Sequence, residues 1–318
     1  GGTVGNVRVV DTAQLPLKPV APKKPMILML SLLLGLMAGV GFAFVRQMLK
    51  SGVKDANQIE SKLGLSVLAT IPASDAQEKL FKNISKKGGR MSVLAHAAPD
   101  DLSIESLRSL RTSLHFALLD ASNNILMITG PSPQLGKSFV SVNLAAVMAT
   151  AGQRVLLVDG DMRRGYLNEY FGMPRDGGLS ELIAGQREAD QVIQASGING
   201  FDYVTTGELP PNPSELLLHP RFEAFLKDVS QRYDYVLVDS PPVMAVTDAA
   251  IIGRLAGATL LLARFAVTPL RELEHSAKRL QQAGVAVKGV LLNRVEVSAG
   301  YSYGYQYAYA YKYGKRHD

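Results

Sequence analysis

The sequence predicts an α/β protein, with a mainly parallel sheet covered by helices on both faces and one transmembrane helix ahead of it. Three observations carry this. Short apolar runs at 124–129, 154–159, 201–205, 235–239, 258–263 and 287–292 alternate with longer stretches of helical periodicity, the pattern of buried parallel strands joined by crossover helices. Residues 127–161 read in order as strand, Gly/Pro/Ser turn, amphipathic helix and strand. Residues 26–45 carry no charge, and at about 1.5 Å per residue such a helix crosses a bilayer.

Composition bounds the rest. A length of 318 residues allows one or two domains, and 47% apolar content is ample for a core. There is no cysteine, so disulfides and thiolate metal sites are excluded, and the five histidines show no ligand spacing. The formal charge of +6 comes without a nucleic-acid-binding motif. Its basic residues gather beside the apolar run and in one linker, which fits a membrane surface and not a nucleic acid.

Residues 1–25 hold a possible short strand at 6–12 and a Pro-rich stretch at 15–25 that should be extended. The sequence opens on Gly1 without an initiator Met, so it is expected to be part of a longer protein. Lys23, Lys24, Arg46 and Lys50 flank the membrane helix at both ends, so charge does not decide its orientation. Residues 46–101 read as a connector, with a short helix near 55–63, an apolar stretch at 65–71 and a basic segment containing Lys79, Lys82, Lys86, Lys87 and Arg90. Such a segment is solvated or touches anionic lipid headgroups. Residues 102–119 form a helix with Leu107, Leu110, Leu114 and Leu118 at helical spacing. Glu105, Arg108 and Arg111 run along one side of it; by spacing alone they are a salt-bridged surface.

The chemistry-bearing motif is the turn before the helix of 137–150, which ends in Gly136-Lys137-Ser138. Backbone N–H groups of Gln134, Leu135, Gly136, Lys137, Ser138 and Phe139 at a helix start supply many donors to a triphosphate, helped by the helix dipole. Lys137 would reach the β- and γ-phosphates, and the Ser138 hydroxyl would ligate Mg²⁺. The turn departs from the usual phosphate-loop pattern in having its first glycine at Gly130 and Pro131 where that glycine is expected. Asp159 and Asp161 close one predicted strand and Asp239 another, at the sheet edge where ligands bind in open α/β folds. Any one of them could cap a turn; three together with the loop indicate a P-loop NTPase-type site.

The loop, the Val155-Leu-Leu-Val-Asp159-Gly-Asp161-Met-Arg163 segment and Val236-Leu-Val-Asp239-Ser-Pro-Pro242 together resemble the Walker A, A′ and B motifs of bacterial tyrosine kinases, within them the Wzc-type capsule and exopolysaccharide autokinases. The resemblance runs from the Pro-rich segment to the tyrosine tail. It implies a domain order of 1–25 as the periplasmic end of a polysaccharide co-polymerase (Wzz-like) domain, 26–45 as membrane helix, 46–101 as connector, 102–297 as kinase domain and 298–318 as tail. The need for cytoplasmic ATP puts the expected kinase domain on the cytoplasmic side of the bacterial inner membrane and residues 1–25 on the periplasmic side. The Glu105-x-x-Arg108-x-x-Arg111 pattern resembles the motif that joins subunits into a homo-oligomeric ring. Asn293 is expected at the adenine edge. Gln134 stands where the family has a small residue, often Gly, which bears on the local backbone angles.

Tyr166, beside Arg163 and Arg164, matches the family's internal phosphorylation site, and its phosphate is expected to pair with nearby arginines. Tyr301, Tyr303, Tyr305, Tyr307, Tyr309, Tyr311 and Tyr313 alternate strictly in the tail and match its C-terminal acceptor cluster. The implied reaction is ATP- and Mg²⁺-dependent autophosphorylation in trans. Lys137 and the loop amides stabilise phosphate charge, Ser138, Asp159 and Asp239 hold the metal, and Asp159 or Asp161 orients the phenol and takes its proton. A cognate tyrosine phosphatase and the polysaccharide polymerisation and export machinery are the implied partners. Two other readings stand beside this one. A partitioning-type ATPase would have its signature Lys where Ser132 stands, and would lack the membrane span and tyrosine tail; a non-catalytic export scaffold would have a degenerate nucleotide site.

Overall fold

The computed structural model describes Gly5 and residues 22–49, 52–87 and 93–296. The chain divides near residue 50 into two units. In the first, the helix Lys24–Leu49 carries a 22-residue span, Lys24–Val45, that is long and apolar enough to cross a membrane, and its large apolar side chains from Met26 to Val45 are exposed. The possible strand at 6–12 and the Pro-rich segment lie outside the described residues.

The second unit is built on one sheet. Its strands are β1 (Val67–Pro72), β2 (Ile125–Thr129), β3 (Val155–Asp159), β4 (Gln194–Ala195), β5 (Phe201–Val204), β6 (Tyr235–Asp239), β7 (Ala258–Arg264) and β8 (Val287–Val295). They lie in the order β1-β8-β7-β2-β6-β3-β5-β4, and only the β4–β5 pair is antiparallel. The central strands β2 and β3 are buried at every residue, which is why they read as unbroken apolar runs. Successive side chains alternate faces. Leu126 and Ile128 join a core with the helices Leu102–Ala117 and Lys137–Thr150, whereas Ile125 and Met127 join one with the helices Pro220–Arg232, Asp248–Leu255 and Leu270–Gln282.

The connectivity makes the site. The chain leaves β2, passes through helix Lys137–Thr150 and enters β3, leaving a gap that β6 later fills; from β6 it crosses to β7 on the other side of β2. The strand order therefore changes direction around β2 and β6, and the crevice at their C-terminal ends is the binding position of this architecture. Met127 and Ile128 of β2 pair with Val238 and Asp239 of β6, which brings Asp239 level with the start of the loop after β2.

Two expectations about the connector change on folding. The apolar stretch at 65–71 becomes β1, a parallel edge strand on β8, and the basic segment as far as Lys87 lies in a helix, Asp75–Lys87, with Arg90 outside the described residues. Val53, Ile59 and Ile71 are core residues. The reason is that β8 would otherwise present an unpaired edge and part of both apolar faces. Glu105 pairs with Arg108 at 2.8 Å on the outer side of helix Leu102–Ala117, while Leu107, Leu110 and Leu114 are buried. A protein beginning at Leu102 is therefore expected to be much less stable than one beginning at Ser51. Buried side chains such as Ile59 and Ile71 are worth about 1.5–3 kcal/mol each, a large share of a domain's roughly 5–15 kcal/mol. Urea midpoints and light scattering check this: the shorter protein should unfold earlier and associate through its exposed β8 edge.

Candidate active site

The phosphate loop begins where β2 ends. Gly130 has no room for a side chain, since a Cβ there would lie 2.7 Å from Leu135 Cδ1 and 2.8 Å from the Leu262 carbonyl oxygen. Gly136 closes the loop in the left-handed region at φ +93° and caps helix Lys137–Thr150 without a side chain. That helix has no acidic residue in its first turn, so its N-terminal dipole is left for an anion. Gln134 also lies in the left-handed region, at φ +61°. A non-glycine residue there costs on the order of 1 kcal/mol, which is where the family's small residue would relax the loop.

Asp159 and Asp239 are direct neighbours across the β3–β6 pair. Both are buried. The Ser138 hydroxyl donates to Asp239 Oδ2 at 2.6 Å, and Asp239 Oδ1 is buried with no hydrogen-bond partner among the described residues. Asp159 accepts from the N–H of Asp161 at 3.2 Å and of Leu167 at 3.1 Å. Burial first, and then the Asp239 charge, push the Asp159 carboxyl up to about 8. Burial pushes Asp239 up to about 6, against the pull of the Lys137 ammonium and the Ser138 hydroxyl. Asp161 is half-buried, and its Oδ1 accepts from the N–H groups of Arg163 and Arg164 at 3.2 and 3.1 Å. Hydroxyl and carboxylate oxygens with an unsatisfied buried lone pair are the donor chemistry that a hard divalent cation takes.

The structure thus brings Lys137, Ser138, Asp159, Asp161 and Asp239 to one edge. Tyr166 is exposed on the same loop, immediately before the residue whose N–H binds Asp159. Of the two arginines beside it, Arg163 makes a paired contact with Asp248, and the Arg164 side chain makes none among the described residues. Asn293 also has a different local task. It is buried beneath the loop, donating from Nδ2 to the Leu135 carbonyl at 2.8 Å and accepting from Arg294 N–H at 2.9 Å, so it braces the loop. The seven tail tyrosines lie outside the described residues.

Sequence reasoning missed Arg264, which donates to the Gln134 carbonyl at 3.3 Å, and the Arg163–Asp248–Ser214 cluster. Strand ends alone could have flagged Arg264. Nothing local marks Ser214 or Asp248, because they reach Arg163 from 51 and 85 residues away.

A buried acidic pair facing a lysine-bearing loop at the switch point of a parallel sheet defines a P-loop nucleotide-binding protein. Residues 133–282 match the family model of an AAA domain, and residues 1–48 match that of the G-rich GNVR domain. The tyrosine-protein kinase ptk of Acinetobacter johnsonii is 48% identical over 94% of this chain and 41% of its own length; the tyrosine-protein kinase etk of Escherichia coli K12 is 46% identical over 94% and 43%. A Klebsiella pneumoniae relative, whose name places it in the cps region, is 43% identical over 94% of this chain and 42% of its own length. The chain therefore spans about two fifths of the length of these relatives. The solved kinase domain of E. coli ETK superposes with a TM-score of 0.73 at 47% identity, covering 80% of this chain and all of that domain. The BceF tyrosine kinase domain gives 0.72 at 45%, covering 77% and 99%. The chain belongs to the bacterial tyrosine-protein kinases.

Two expected outcomes follow from the geometry. In Gly136→Ala the new Cβ would meet Asn293 Nδ2 at 2.3 Å, and that amide is already bonded beneath the loop. Nucleotide affinity should fall by about tenfold or more, the result of spoiling loop amides worth roughly 1.5–3 kcal/mol each to a charged ligand; calorimetric titration reads it. The second concerns pH. Because the folded Asp159 carboxyl is held at about 8, above its unfolded value of about 4, its contribution to stability is present below pH about 4 and is lost as pH rises through about 8. Asp159→Asn should therefore raise the Tm of the ligand-free protein at pH 8, gain less at pH 5, and flatten the pH profile between them. A variant less stable than the parent at pH 8 would contradict this.

Proposed function

We propose that this chain is an ATP-dependent protein-tyrosine autokinase of the bacterial inner membrane, acting on capsule or exopolysaccharide polymerisation and export. The single observation that carries the reading is the buried Asp159–Asp239 pair set against Lys137 and Ser138, in a domain that matches solved tyrosine kinase domains over their whole length.

The γ-phosphoryl group of ATP is passed to a tyrosine hydroxyl. The loop amides and Lys137 bind the phosphates and stabilise the charge that develops as the bond to the leaving phosphate breaks. Ser138, Asp239 and Asp159 would hold Mg²⁺, which when bound supplies positive charge to the phosphates. Asp161, exposed enough to meet an acceptor, orients the phenol. The raised value of Asp159 belongs to the ligand-free site, since a carboxylate that holds a divalent cation loses that basicity. A carboxylate near 4 is a poor base for a phenol at about 10, so positioning and phosphate charge stabilisation carry the transfer and proton removal is late.

The acceptors are Tyr166 and the tail tyrosines Tyr301, Tyr303, Tyr305, Tyr307, Tyr309, Tyr311 and Tyr313. Transfer occurs between subunits of a ring joined through Glu105, Arg108 and Arg111, with the helix Lys24–Leu49 as the membrane anchor and residues 1–25 on the periplasmic side. A tyrosine phosphatase reverses it. The export link rests on the family and on the relative named for its cps region.

Lys137→Met should keep the fold, with an unchanged circular dichroism spectrum, and lose phosphotyrosine formation by about 10²-fold or more, since it removes a charge aimed at the reacting phosphates. Purified protein incubated with labelled ATP and Mg²⁺ decides it: label on tyrosine supports a kinase, label released only as phosphate supports an ATPase, and near-normal phosphotyrosine in the variant overturns the site.

A further inference from the structure

Outside the nucleotide-facing residues, one cluster of charged side chains is built to a tighter geometry than surface pairing requires. Asp248 begins helix Asp248–Leu255 and its side chain is fully buried. Arg163 donates to it from Nε at 2.9 Å and from Nη2 at 3.1 Å, and the Ser214 hydroxyl donates to the same carboxylate at 2.6 Å. Arg163 Nη2 also reaches Ser214 Oγ at 3.1 Å. This is a fork-on-carboxylate pair, which a lysine cannot reproduce. Asp248 is buried while Arg163 keeps 39% of its side chain exposed, so the pair neutralises a buried carboxylate from a partly solvated partner. That accounts for a cation at this position; the two-pronged contact and the shared Ser214 hydroxyl ask for a further reason.

That reason lies two residues along the chain. Asp161 Oδ1 accepts from the N–H groups of Arg163 and Arg164, and its carbonyl accepts from Arg164 at 3.2 Å and Gly165 at 2.8 Å. These bonds close the turn onto Asp161, and the Arg163 side chain, fixed at its guanidinium, ties the backbone of that turn to Asp248. On the other side, the segment between β6 and helix Asp248–Leu255 is tied to the phosphate loop: Val243 N–H donates to the Gly130 carbonyl at 2.9 Å and Met244 N–H to that of Pro131 at 3.2 Å. The cluster thus bridges the acceptor-side turn to a segment stitched to the nucleotide side.

We infer that Arg163 is a positioning residue for phosphoryl transfer, bolted by Asp248 and Ser214 so that Asp161 keeps its place relative to the phosphates. The inference rests on the kinase reading. It makes a distinct demand, because none of the three residues is among those expected to bind the nucleotide: their loss should lower the rate of transfer and spare nucleotide binding.

The test uses the full chain and the variants Arg163→Met, Arg163→Lys, Ser214→Ala and Asp248→Asn, with ATP, Mg²⁺ and a synthetic tyrosine peptide. Arg163→Met should lower kcat about ten- to a hundredfold, the cost of a misplaced catalytic group, while KM for ATP stays within about twofold. Arg163→Lys should recover only part of the rate, and Ser214→Ala should lose least. Ser214→Ala and Arg163→Lys decide the matter if Asp248→Asn does not fold. Amide hydrogen exchange across 161–166 should quicken in the same order. A kcat within twofold of the parent in Arg163→Met, whatever its Tm, would show a merely structural pair. A parallel rise in KM for ATP would show that the cluster shapes the nucleotide site instead, and would equally overturn the inference. If the parent chain transfers nothing to tyrosine, the kinase reading fails; unchanged exchange across the turn would then sink the bolt as well, and quickened exchange would sustain it.

Discussion

Two carboxylates kept dry and side by side are the constraint from which the rest of this structure follows. Asp159 and Asp239 stand opposite each other at the ends of adjacent parallel strands, and water is excluded from both. Burial penalises their charged forms and each raises the energy of the other. A folded domain tolerates such a pair only if the surrounding backbone over-determines it. The neighbouring N–H groups of Asp161 and Leu167, the Ser138 hydroxyl and the Lys137 charge do this. What remains unsatisfied, Asp239 Oδ1 above all, is the part of the site that a ligand completes.

The loop opposite this pair stores strain of its own. Gln134 and Gly136 both take left-handed angles, the kind of backbone from which anion-binding loops are made. Two of the loop's carbonyls are hydrogen-bonded by side chains: Leu135 by Asn293 and Gln134 by Arg264. Both braces come from the C-terminal ends of β7 and β8, on the side of β2 away from the carboxylates. The loop is thus held between a supporting side and a reacting side, with its carbonyls at Gln134 and Leu135 already bonded. Preorganisation of this kind is where electrostatic stabilisation of a transition state comes from.

The acceptor side is organised more sparingly. Tyr166 is exposed, while the turn before it is pinned through Asp161 and Arg163. Of the two arginines beside Tyr166, Arg163 is paired with Asp248, whereas the Arg164 side chain makes no such contact among the described residues. The same economy explains why β1 matters to a site it does not touch. It covers the edge of β8, and β8 carries Asn293.

The sequence by itself determined the local elements and the chemistry. Its buried strands announce themselves as unbroken apolar runs, because a parallel sheet with both faces covered has no polar side to show. The Gly136-Lys137-Ser138 turn is legible because phosphate binding needs backbone donors, a cation and a hydroxyl within a few consecutive residues, and the membrane-length helix because a bilayer sets its length. Only the tertiary structure decided what depends on contacts between distant segments. These are the capture of 67–72 as an edge strand, the bracing role of Asn293, the raised basicity of Asp159, and the union of Arg163 with Ser214 and Asp248. Each is set by strand order, and strand order is fixed by which apolar faces and edges can be buried together, a property of the whole chain that no local window of sequence contains.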